Sequence, residues 1–391
     1  MKYRGITVRN AIIAHVLVLT AMLVLGPLTV YTTSEDVSTK TRNFEPDIVT
    51  NAMIEPVQVS EKPQSSGTKQ TTAEWTMMLY LDGDNNLEDA AIDDFLEMSS
   101  VGSVENVINI VVQFDRIEGY NTKHGNWTIC HRFYITTEIT PEESNAISDW
   151  GDGKGGREVN MGDPDTLTDF INWAKENYPA SHYALILWNH GGGWRNLYQP
   201  PGKKPPVVKA VCYDDTDNDY LSVKEVKEAI ENKGVDLIGF DACLMGMIEV
   251  ADEIKNGGTV LVASEETELS TGWDYEKIFE NLKKNPNSSP EQLGKIIVDS
   301  FDDETLSGID LTRIDNLITS LNSVIQEIMN YQLWLDVYIA RSDTKNFDEP
   351  SFVDLYDFLD KLSENTQNET VISEIEEFKN IFAQTVFADN T

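Results

Sequence analysis

The stretch LILWNHGGGW, residues 185–194, passes from an apolar run through a histidine into three glycines. A short apolar run bounded by a turn signal is typical of a buried β-strand, and glycine weakens a strand interior. We therefore expect the strand to end near His190 and Gly191. The glycines then either form a flexible turn or allow another group to approach the backbone closely beside the imidazole.

A second stretch, LIGFDACLMGMIEVADEI (237–254), has the same arrangement, with a cysteine after the apolar run. Predicted strands and helices alternate around both stretches. Strands are predicted at 75–81, 106–115, 182–190, 208–215, 235–242 and 259–266, and helices at 163–179, 222–234 and 244–256. This alternation predicts an α/β fold with a mainly parallel sheet and helices on both faces.

His190 and Cys243 are expected at equivalent places, just past the carboxyl ends of parallel strands, where such sheets have their ligand crevice. The helix predicted at 244–256 begins directly after Cys243, so its dipole would favour the thiolate. A thiolate beside an imidazole suffices for acyl transfer through a thioester, and the amides of Gly191 and Cys243 are candidates for an oxyanion hole. A cysteine there is more often a small hydrophobic residue, and a histidine before glycines more often belongs to a turn, but their matching positions favour catalysis.

Several motifs resemble the clostripain family of cysteine peptidases, relatives of caspases, gingipains and legumains. They are NMGDPDTLTDFINWAKENYPASHYALILWNHGGGW, FDACLMGMIEVADEI and VASEETELSTGWDY, with MMLYLDGDNNLED and FVDLYDFLDKL at the two ends. The resemblance implies a caspase-like αβα sandwich with a mainly parallel central sheet and a helical C-terminal extension. It also implies that His190 is the catalytic histidine and Cys243 the nucleophile. Members of the family cleave peptide bonds after arginine or lysine, so peptides or proteins with basic residues are the implied substrates.

Asp241 lies two residues before Cys243 and resembles the carboxylate that recognises the basic side chain in this family. A partly buried carboxylate pairs well with a guanidinium group. The alternative is an aspartate in a surface turn, or one that caps the following helix. A second acid for substrate binding is sought among Glu265, Glu266 and Asp274, which the sequence does not rank.

The segment YQPPGKKPPVVKAVCYDD, between the two candidate catalytic residues, is expected to form an exposed loop because of its prolines and lysines. Members of the family are commonly activated by self-cleavage in this interval. The bond between Lys209 and Ala210 is the preferred candidate. Lys203 is followed by another lysine and Lys204 by a proline, which resists cleavage.

No cofactor is required by the residue pattern, but calcium is left open because some family members need it. Acids cluster at 82–89 (DGDNNLED) and at 214–225 (DDTDNDYLSVKE). Neither stretch fits the EF-hand loop, which needs a glycine at its sixth position. Capping of turns and helices is the favoured role of these acids. Oxygen ligands gathered from separate loops remain open, and the sequence identifies no metal ligand.

The amino-acid composition limits the classes of partner that the chain could bind. The 391 residues include 66 acidic and 30 basic side chains, a formal net charge of −36. Nucleic acid is excluded as a partner, because phosphate contacts need clustered lysine and arginine. There are three cysteines and no CxxC pair. A disulfide between Cys130 and Cys212 is left open, which would leave Cys243 as a thiol.

Four segments are expected. Residues 1–32 contain about 20 nearly uncharged apolar residues, long enough to span a bilayer. They form a signal anchor, the favoured interpretation, or a cleaved signal peptide, and either one places the rest of the chain outside the cytoplasm. Residues 33–73 are polar and are expected to be a flexible tether or pro-region. Residues 74–285 form the catalytic core, and 286–391 a mostly helical region that completes or extends it.

The sequence thus predicts an extracytoplasmic cysteine endopeptidase, membrane-anchored or secreted. Two other functions stay open. A transpeptidase or ligase would form the same thioester and resolve it with an amine. An inactive, surface-anchored binding module would keep both residues without catalytic geometry.

Overall fold

The computed structural model describes residues 72–150, 155–193, 210–301, 305–347 and 351–390. The predicted signal anchor at 1–32, nearly all of the tether at 33–73, and Lys209 lie outside the described residues. The strands are β1 (Ala73–Gly83), β2 (Ile108–Arg116), β3 (Cys130–Tyr134), β4 (Gly156–Arg157), β5 (Ala180–Trp188), β6 (Val211–Asp214), β7 (Asp219–Leu221), β8 (Leu237–Asp241), β9 (Val260–Ala263), β10 (Leu306–Asp310) and β11 (Val386–Asn390). The helices are α1 (Glu88–Val101), α2 (Pro164–Asn177), α3 (Val223–Ile230), α4 (Ile248–Ile254), α5 (Tyr275–Lys284), α6 (Pro290–Ser300), α7 (Ile314–Tyr331), α8 (Trp334–Asp343), α9 (Leu355–Asn365) and α10 (Glu369–Thr385).

Nine strands form one sheet in the order β11-β10-β9-β8-β5-β1-β2-β3-β4. The five strands from β9 to β2 run parallel, and two antiparallel strands flank them at each end. This confirms the predicted α/β fold with a mainly parallel central sheet. Strands β10 and β11 come from the part of the chain that was expected to be largely helical. Strands β6 and β7 form a separate hairpin.

Helices cover both faces of the sheet. Along β1, Met77 and Leu79 belong to the core beneath α1, α5 and α6, whereas Met78 and Tyr80 belong to the core beneath α2, α3, α4, α7 and α10. All four side chains are at most 1% exposed. A parallel strand covered on both faces is apolar throughout rather than alternating, which explains the continuous apolar runs of the sequence.

Helix α4 begins later than predicted. It spans Ile248–Ile254 rather than 244–256, so Cys243 does not open a helix and the proposed dipole effect on its thiol is wrong. The amide of Leu244 donates to the carbonyl of Glu266 at 3.0 Å, and that of Gly246 donates to the carbonyl of Ser264 at 2.6 Å. Backbone pairing with the segment after β9 therefore replaces the first helical turn.

The structure also bears on the cysteines and on membrane-spanning helices. Cys130 and Cys212 are buried thiols and not a disulfide. Among the helices of the described residues, none combines the length and the apolar character needed to cross a bilayer. The apolar stretch 11–30 lies outside the described residues.

Candidate active site

Strands β5 and β8 are parallel neighbours whose register pairs Trp188 with Asp241 at their carboxyl ends. His190 and Cys243 each lie two residues beyond that pair, so both leave the sheet at the same edge. A Cβ atom added to Gly191 would lie 2.3 Å from the carbonyl oxygen of Cys243. The two strand exits are therefore in backbone contact, and the structure brings the histidine and cysteine segments together.

Cys243 is half-buried at this edge. Its Sγ atom accepts a hydrogen bond from the amide of Glu268 at 3.3 Å. The next residue, Leu244, has a φ of 61°, in the left-handed region that costs a non-glycine residue about 1–2 kcal/mol. The chain thus turns sharply after the thiol, and such strained turns concentrate at functional sites.

His190 contacts two other segments of the chain. Its Nε2 atom lies 3.0 Å from Oδ1 of Asn86, in the turn after β1. Its ring meets that of Tyr213 edge-on, with centroids 6.3 Å apart. Burial lowers the pKa of His190, and the negative charge of Asp215 opposes this effect. The imidazole is therefore neutral at neutral pH, the form that can accept a proton.

Asn86 was not identified from the sequence. Its position in the chain could have indicated it. Asn86 follows β1, the strand next to β5, and therefore lies at the same edge of the sheet as His190.

Gly191 is restricted by the backbone beside it. Besides the carbonyl of Cys243, an added Cβ would lie 3.1 Å from the Cys243 nitrogen and 3.0 Å from the Cβ of Ala242. No side chain fits there, so this glycine is required for the close approach of two strand exits. Its backbone also forms a β-bridge with Val211, at the start of β6.

Asp241 is buried at the end of β8, with 4% of its surface exposed. Its Oδ2 accepts hydrogen bonds from the Tyr275 hydroxyl at 2.7 Å and from the Trp273 amide at 3.2 Å. Burial raises the pKa of Asp241 to about 6, although these hydrogen bonds and the Glu268 side chain lower it in part. Asp241 is therefore neither in a surface turn nor a cap of the following helix.

A second buried acid stands beside Asp241. Asp94 of α1 accepts a hydrogen bond from the Trp188 indole at 2.6 Å. A Cβ atom added to Gly272 would lie 2.9 Å from Oδ2 of Asp94 and 3.1 Å from Oδ2 of Asp241, so both carboxyl groups face the same glycine. Burial raises the pKa of Asp94 well above its usual range, and the charge of Asp241 raises it further. Two buried carboxyl groups thus lie next to the candidate nucleophile, and the raised pKa of Asp94 favours its protonated form.

The other predicted acids have different positions. The carboxylate of Asp274 caps α5 by accepting from the amide of Lys277 at 2.8 Å. Oε1 of Glu266 accepts from the following amide, and Glu265 accepts from the Ser307 hydroxyl on the far side of β9. Glu268, which was not predicted from the sequence, is the acid of this segment whose side chain acts on Asp241.

Ala210, on the carboxyl side of the predicted cleavage site, is fully buried, and its neighbour Lys209 lies outside the described residues.

Three further acids could hold a metal ion. Carboxylate oxygens of Asp84, Asp115 and Asp214 lie within 4.8 Å of one another. Asp84 and Asp214 come from the two acidic stretches in which the sequence indicated caps, and Asp115 comes from the end of β2. The structure thus joins oxygen donors from separate segments.

Comparisons with known proteins identify the family of the chain. Residues 79–388 match the clostripain family. Clostripain from Hathewaya histolytica is 30% identical over 372 residues, which covers 78% of this chain and 69% of that protein. The fold resembles a secreted C11 cysteine protease from Bacteroides thetaiotaomicron in complex with an irreversible peptide inhibitor (TM-score 0.60, 20% identity, 81% of this chain and 84% of that one). It also resembles an inactive zymogen C11 protease from Parabacteroides distasonis (TM-score 0.59, 19% identity, 82% and 84%). The chain therefore belongs to the clostripain family and is a cysteine peptidase.

Proposed function

We propose that this chain is an endopeptidase that cleaves after arginine or lysine, with Cys243 as nucleophile and His190 as acid and base. The observation that carries the proposal is the position of the buried Asp241 beside Cys243 at the carboxyl edge of the sheet.

The chemistry follows from the two side chains. The neutral ring of His190 takes the proton of the Cys243 thiol as the sulfur attacks the scissile carbonyl. The negative charge on the carbonyl oxygen is held by the amides of Gly191 and Cys243. His190 then gives the proton to the leaving amine, and a thioester forms. A water molecule, activated by His190, hydrolyses the thioester and releases the acid product.

The preference for a basic residue rests on charge. Among the described residues, no lysine or arginine forms an ion pair with Asp241 or Asp94. Buried carboxylates without a cation are costly when ionised. A substrate guanidinium or ammonium group that enters beside Asp241 would supply the missing charge, and binding would be strengthened by the low local dielectric.

Glu268 is the second acid that the geometry favours, ahead of the predicted Glu266 and Asp274. Its amide contacts the sulfur of Cys243 and its side chain acts on Asp241, so it lies between the nucleophile and the buried carboxylate. Asp274 is used as a helix cap instead.

The proposal also covers the cellular location of the catalytic core and its activation by cleavage. We assign the catalytic core to the outside of the cytoplasm, secreted or tethered by residues 1–32, because of the apolar stretch at 11–30. Cleavage between Lys209 and Ala210 remains the favoured activation site. Since Ala210 is buried, that cleavage requires Ala210 to leave its position. Intact-mass measurement of the wild type and of Cys243→Ala tests it, and an uncut, fully active wild type would refute it.

The activity is tested with fluorogenic peptides that end in Arg, Lys or Asn. We expect the wild type to cleave after Arg and Lys, and Cys243→Ala to be inactive. Asp241→Asn should lower kcat/KM for the basic peptides by about 30-fold or more, because a buried partner of the substrate charge is removed. Cleavage confined to the Asn peptide would refute the role of Asp241. Product analysis with an added amine separates hydrolysis from transpeptidation.

A further inference from the structure

A cavity of about 530 Å³ lies between the C-terminal helices and the sheet, behind the segment that follows Cys243. Its walls come from α4, β10, α7, α9 and α10. Protein interiors are close-packed, and voids larger than a water molecule are rare in them. Sites for small ligands occupy about 300–1,000 Å³. The size of this cavity is therefore that of a ligand site rather than of a packing defect.

The walls of the cavity are mostly apolar. Helix α7 contributes one continuous face, with Leu317, Leu321, Val324, Ile325 and Ile328. These residues recur every three or four positions, the spacing that places side chains on one side of a helix. Water makes few hydrogen bonds against such walls, so an apolar group that displaces it binds favourably. The body of a ligand in this cavity should therefore be apolar.

Carboxyl groups stand among these apolar walls. Glu265, just after β9, is half-buried, and its Oε1 atom accepts a hydrogen bond from the Ser307 hydroxyl of β10. Asp354, just before α9, and Asp389 of β11 also line the cavity. Among the ion pairs of the described residues, none includes Glu265, Asp354 or Asp389. A ligand with a positive charge would find three carboxyl groups here that no salt bridge of this part of the chain uses.

The surroundings of Glu265 disfavour its negative charge. Burial raises the pKa of Glu265 to about 7, and the charges of Asp354 and Asp389 raise it further. Hydrogen bonds from Ser307 and from a backbone amide lower the pKa in part. A cation beside Glu265 would favour the ionised carboxylate, which is the form that binds a cation.

The balance of charge in the lining is negative. Among the described residues that line the cavity, four are acidic and two, Arg341 and Lys345, are basic. Lys345 is exposed, and Nη1 of Arg341 donates to Oδ1 of Asn346 at 2.6 Å. Neither base is among the main influences on the pKa of Glu265, so neither compensates the charge of this carboxyl group. The lining therefore favours a cation over an anion.

We propose that this cavity binds a small molecule that has an apolar body and one positively charged amino group. The apolar body would lie against α7, and the ammonium group would pair with Glu265. The low local dielectric would strengthen that charge-assisted hydrogen bond. A ligand with a carboxylate is disfavoured, because it would be repelled by Glu265, Asp354 and Asp389. The class of ligand is thus an aliphatic or aromatic primary amine.

The cavity adjoins two segments that surround the candidate nucleophile. Met247, four residues after Cys243, lines the cavity and also lies against the glycine loop, because a Cβ atom added to Gly193 would be 2.7 Å from its Cε atom. Glu265 belongs to the segment after β9 that pairs with the backbone of Leu244. A bound amine would therefore restrain both segments without contacting the thiol.

Binding is tested on the full chain carrying Cys243→Ala, so that the outcome does not depend on the proposed function. Three compounds share one apolar body: 4-phenylbutylamine is positive, 4-phenylbutanol is neutral and 4-phenylbutyrate is negative. Each is titrated in a calorimeter at about pH 8, where Glu265 is ionised, and in about 150 mM NaCl, which screens exposed charges. We expect the amine to bind at least about tenfold more tightly than the alcohol, and the butyrate to bind more weakly than both. Methylamine, which has the charge without the apolar body, should not bind.

Glu265→Gln, compared with Glu280→Gln, locates the ammonium group. Glu280 is an exposed acid on α5 that pairs with Lys284 at the surface. Glu265→Gln should weaken amine binding about tenfold and leave the affinity for the alcohol unchanged, whereas Glu280→Gln should behave as its parent. Leu321→Trp, which fills part of the cavity, should weaken binding of both compounds, and it is the second variant if Glu265→Gln does not fold. No amine binding at ~10 mM, an amine affinity no higher than that of the alcohol or the butyrate, or unchanged amine binding in both cavity variants would overturn the proposal.

Discussion

The Nε2 atom of His190 lies 3.0 Å from Oδ1 of Asn86, which belongs to the turn after the neighbouring strand β1. An amide oxygen can only accept, so the neutral ring donates from Nε2 and keeps its lone pair on Nδ1. In the proposed mechanism that lone pair takes the thiol proton. Asn86 thus sets both the tautomer and the orientation of the imidazole, as an uncharged counterpart of the third residue in a catalytic triad.

Asn86→Ala is expected to lower kcat by about 3- to 10-fold and to leave KM nearly unchanged, since one hydrogen bond to the ring is lost. Asn86→Asp keeps an acceptor oxygen and should restore part of the rate. Steady-state kinetics with an Arg-ended peptide measure both effects. As a control, Asn145→Ala alters an exposed amide that donates hydrogen bonds to Thr140, away from His190. Equal losses in the Ala and Asp variants would contradict a role in positioning.

The meeting of His190 and Cys243 could be predicted because parallel strands end at one edge of a sheet. Each residue follows an apolar run, and the observed register between Trp188 and Asp241 places them at the same distance beyond the sheet. The local sequence pattern was therefore enough to predict that the two residues lie near each other. The position of Asp241 beside Cys243 could be predicted as well, because residues i and i+2 of a strand share a face.

Contacts between distant segments could not be predicted in this way. The helical pattern of LMGMIEVADEI is genuine, yet the amides of Leu244 and Gly246 pair with the segment after β9, so the helix begins at Ile248. Tertiary hydrogen bonds overrode local propensity. Glu268 lies in a loop without periodicity, and its approach to Asp241 depends on the path of that loop. The carboxylate cluster likewise unites three segments that are far apart in the chain.

Gly191→Ala is expected to impair both activity and stability. The added Cβ would lie 2.3 Å from the carbonyl oxygen of Cys243, so one strand exit must move. We expect kcat/KM to fall more than tenfold and the free energy of unfolding to fall by about 1–3 kcal/mol, as for overpacking elsewhere. Peptide kinetics and chemical denaturation measure these changes. Gly258→Ala is the control, because its φ is not positive and an added Cβ there would lie no closer than 3.1 Å to another atom, so a smaller loss of stability and no loss of activity are expected. A fully active Gly191→Ala enzyme would show that the two exits need not be this close.

Glu268→Gln and Glu266→Gln form a matched pair for the second substrate-binding acid. The Glu268 side chain acts on Asp241, whereas Oε1 of Glu266 accepts from the following amide. We expect Glu268→Gln to lower kcat/KM for Arg and Lys peptides by about 3- to 30-fold, and Glu266→Gln to change it less than twofold, because a half-exposed charge contributes less than a buried one. A larger loss of kcat/KM in Glu266→Gln than in Glu268→Gln would instead identify Glu266 as the second substrate-binding acid.

Substrate binding should depend on pH through Asp241. Its pKa is about 6, raised by burial, so the carboxyl group is ionised above that pH and neutral below it. An aspartate in water would remain ionised down to about pH 4. The groups that face it are Asp94 and Glu97 on α1, Glu268, and Tyr275 on α5, whose amide donates to Glu97. All but the tyrosine are acids, and none of them favours the ionised form of Asp241 by its charge.

For an Arg-ended peptide, kcat/KM is therefore expected to fall with decreasing pH below about 6, because kcat/KM reports ionisations of the free enzyme. The direction follows from the raised pKa: the anion that attracts the substrate cation is lost two units earlier than in an ordinary aspartate, as about 6 compares with 3.8. Burial lowers the pKa of His190, so protonation of this ring reduces activity only at a pH below the usual pKa of histidine. In Asp241→Asn the decline near pH 6 should disappear, and the remaining activity should follow His190 alone. If the variant keeps the same acid limb as the wild type, Asp241 is not the group that titrates, and the buried carboxylate does not bind the substrate charge.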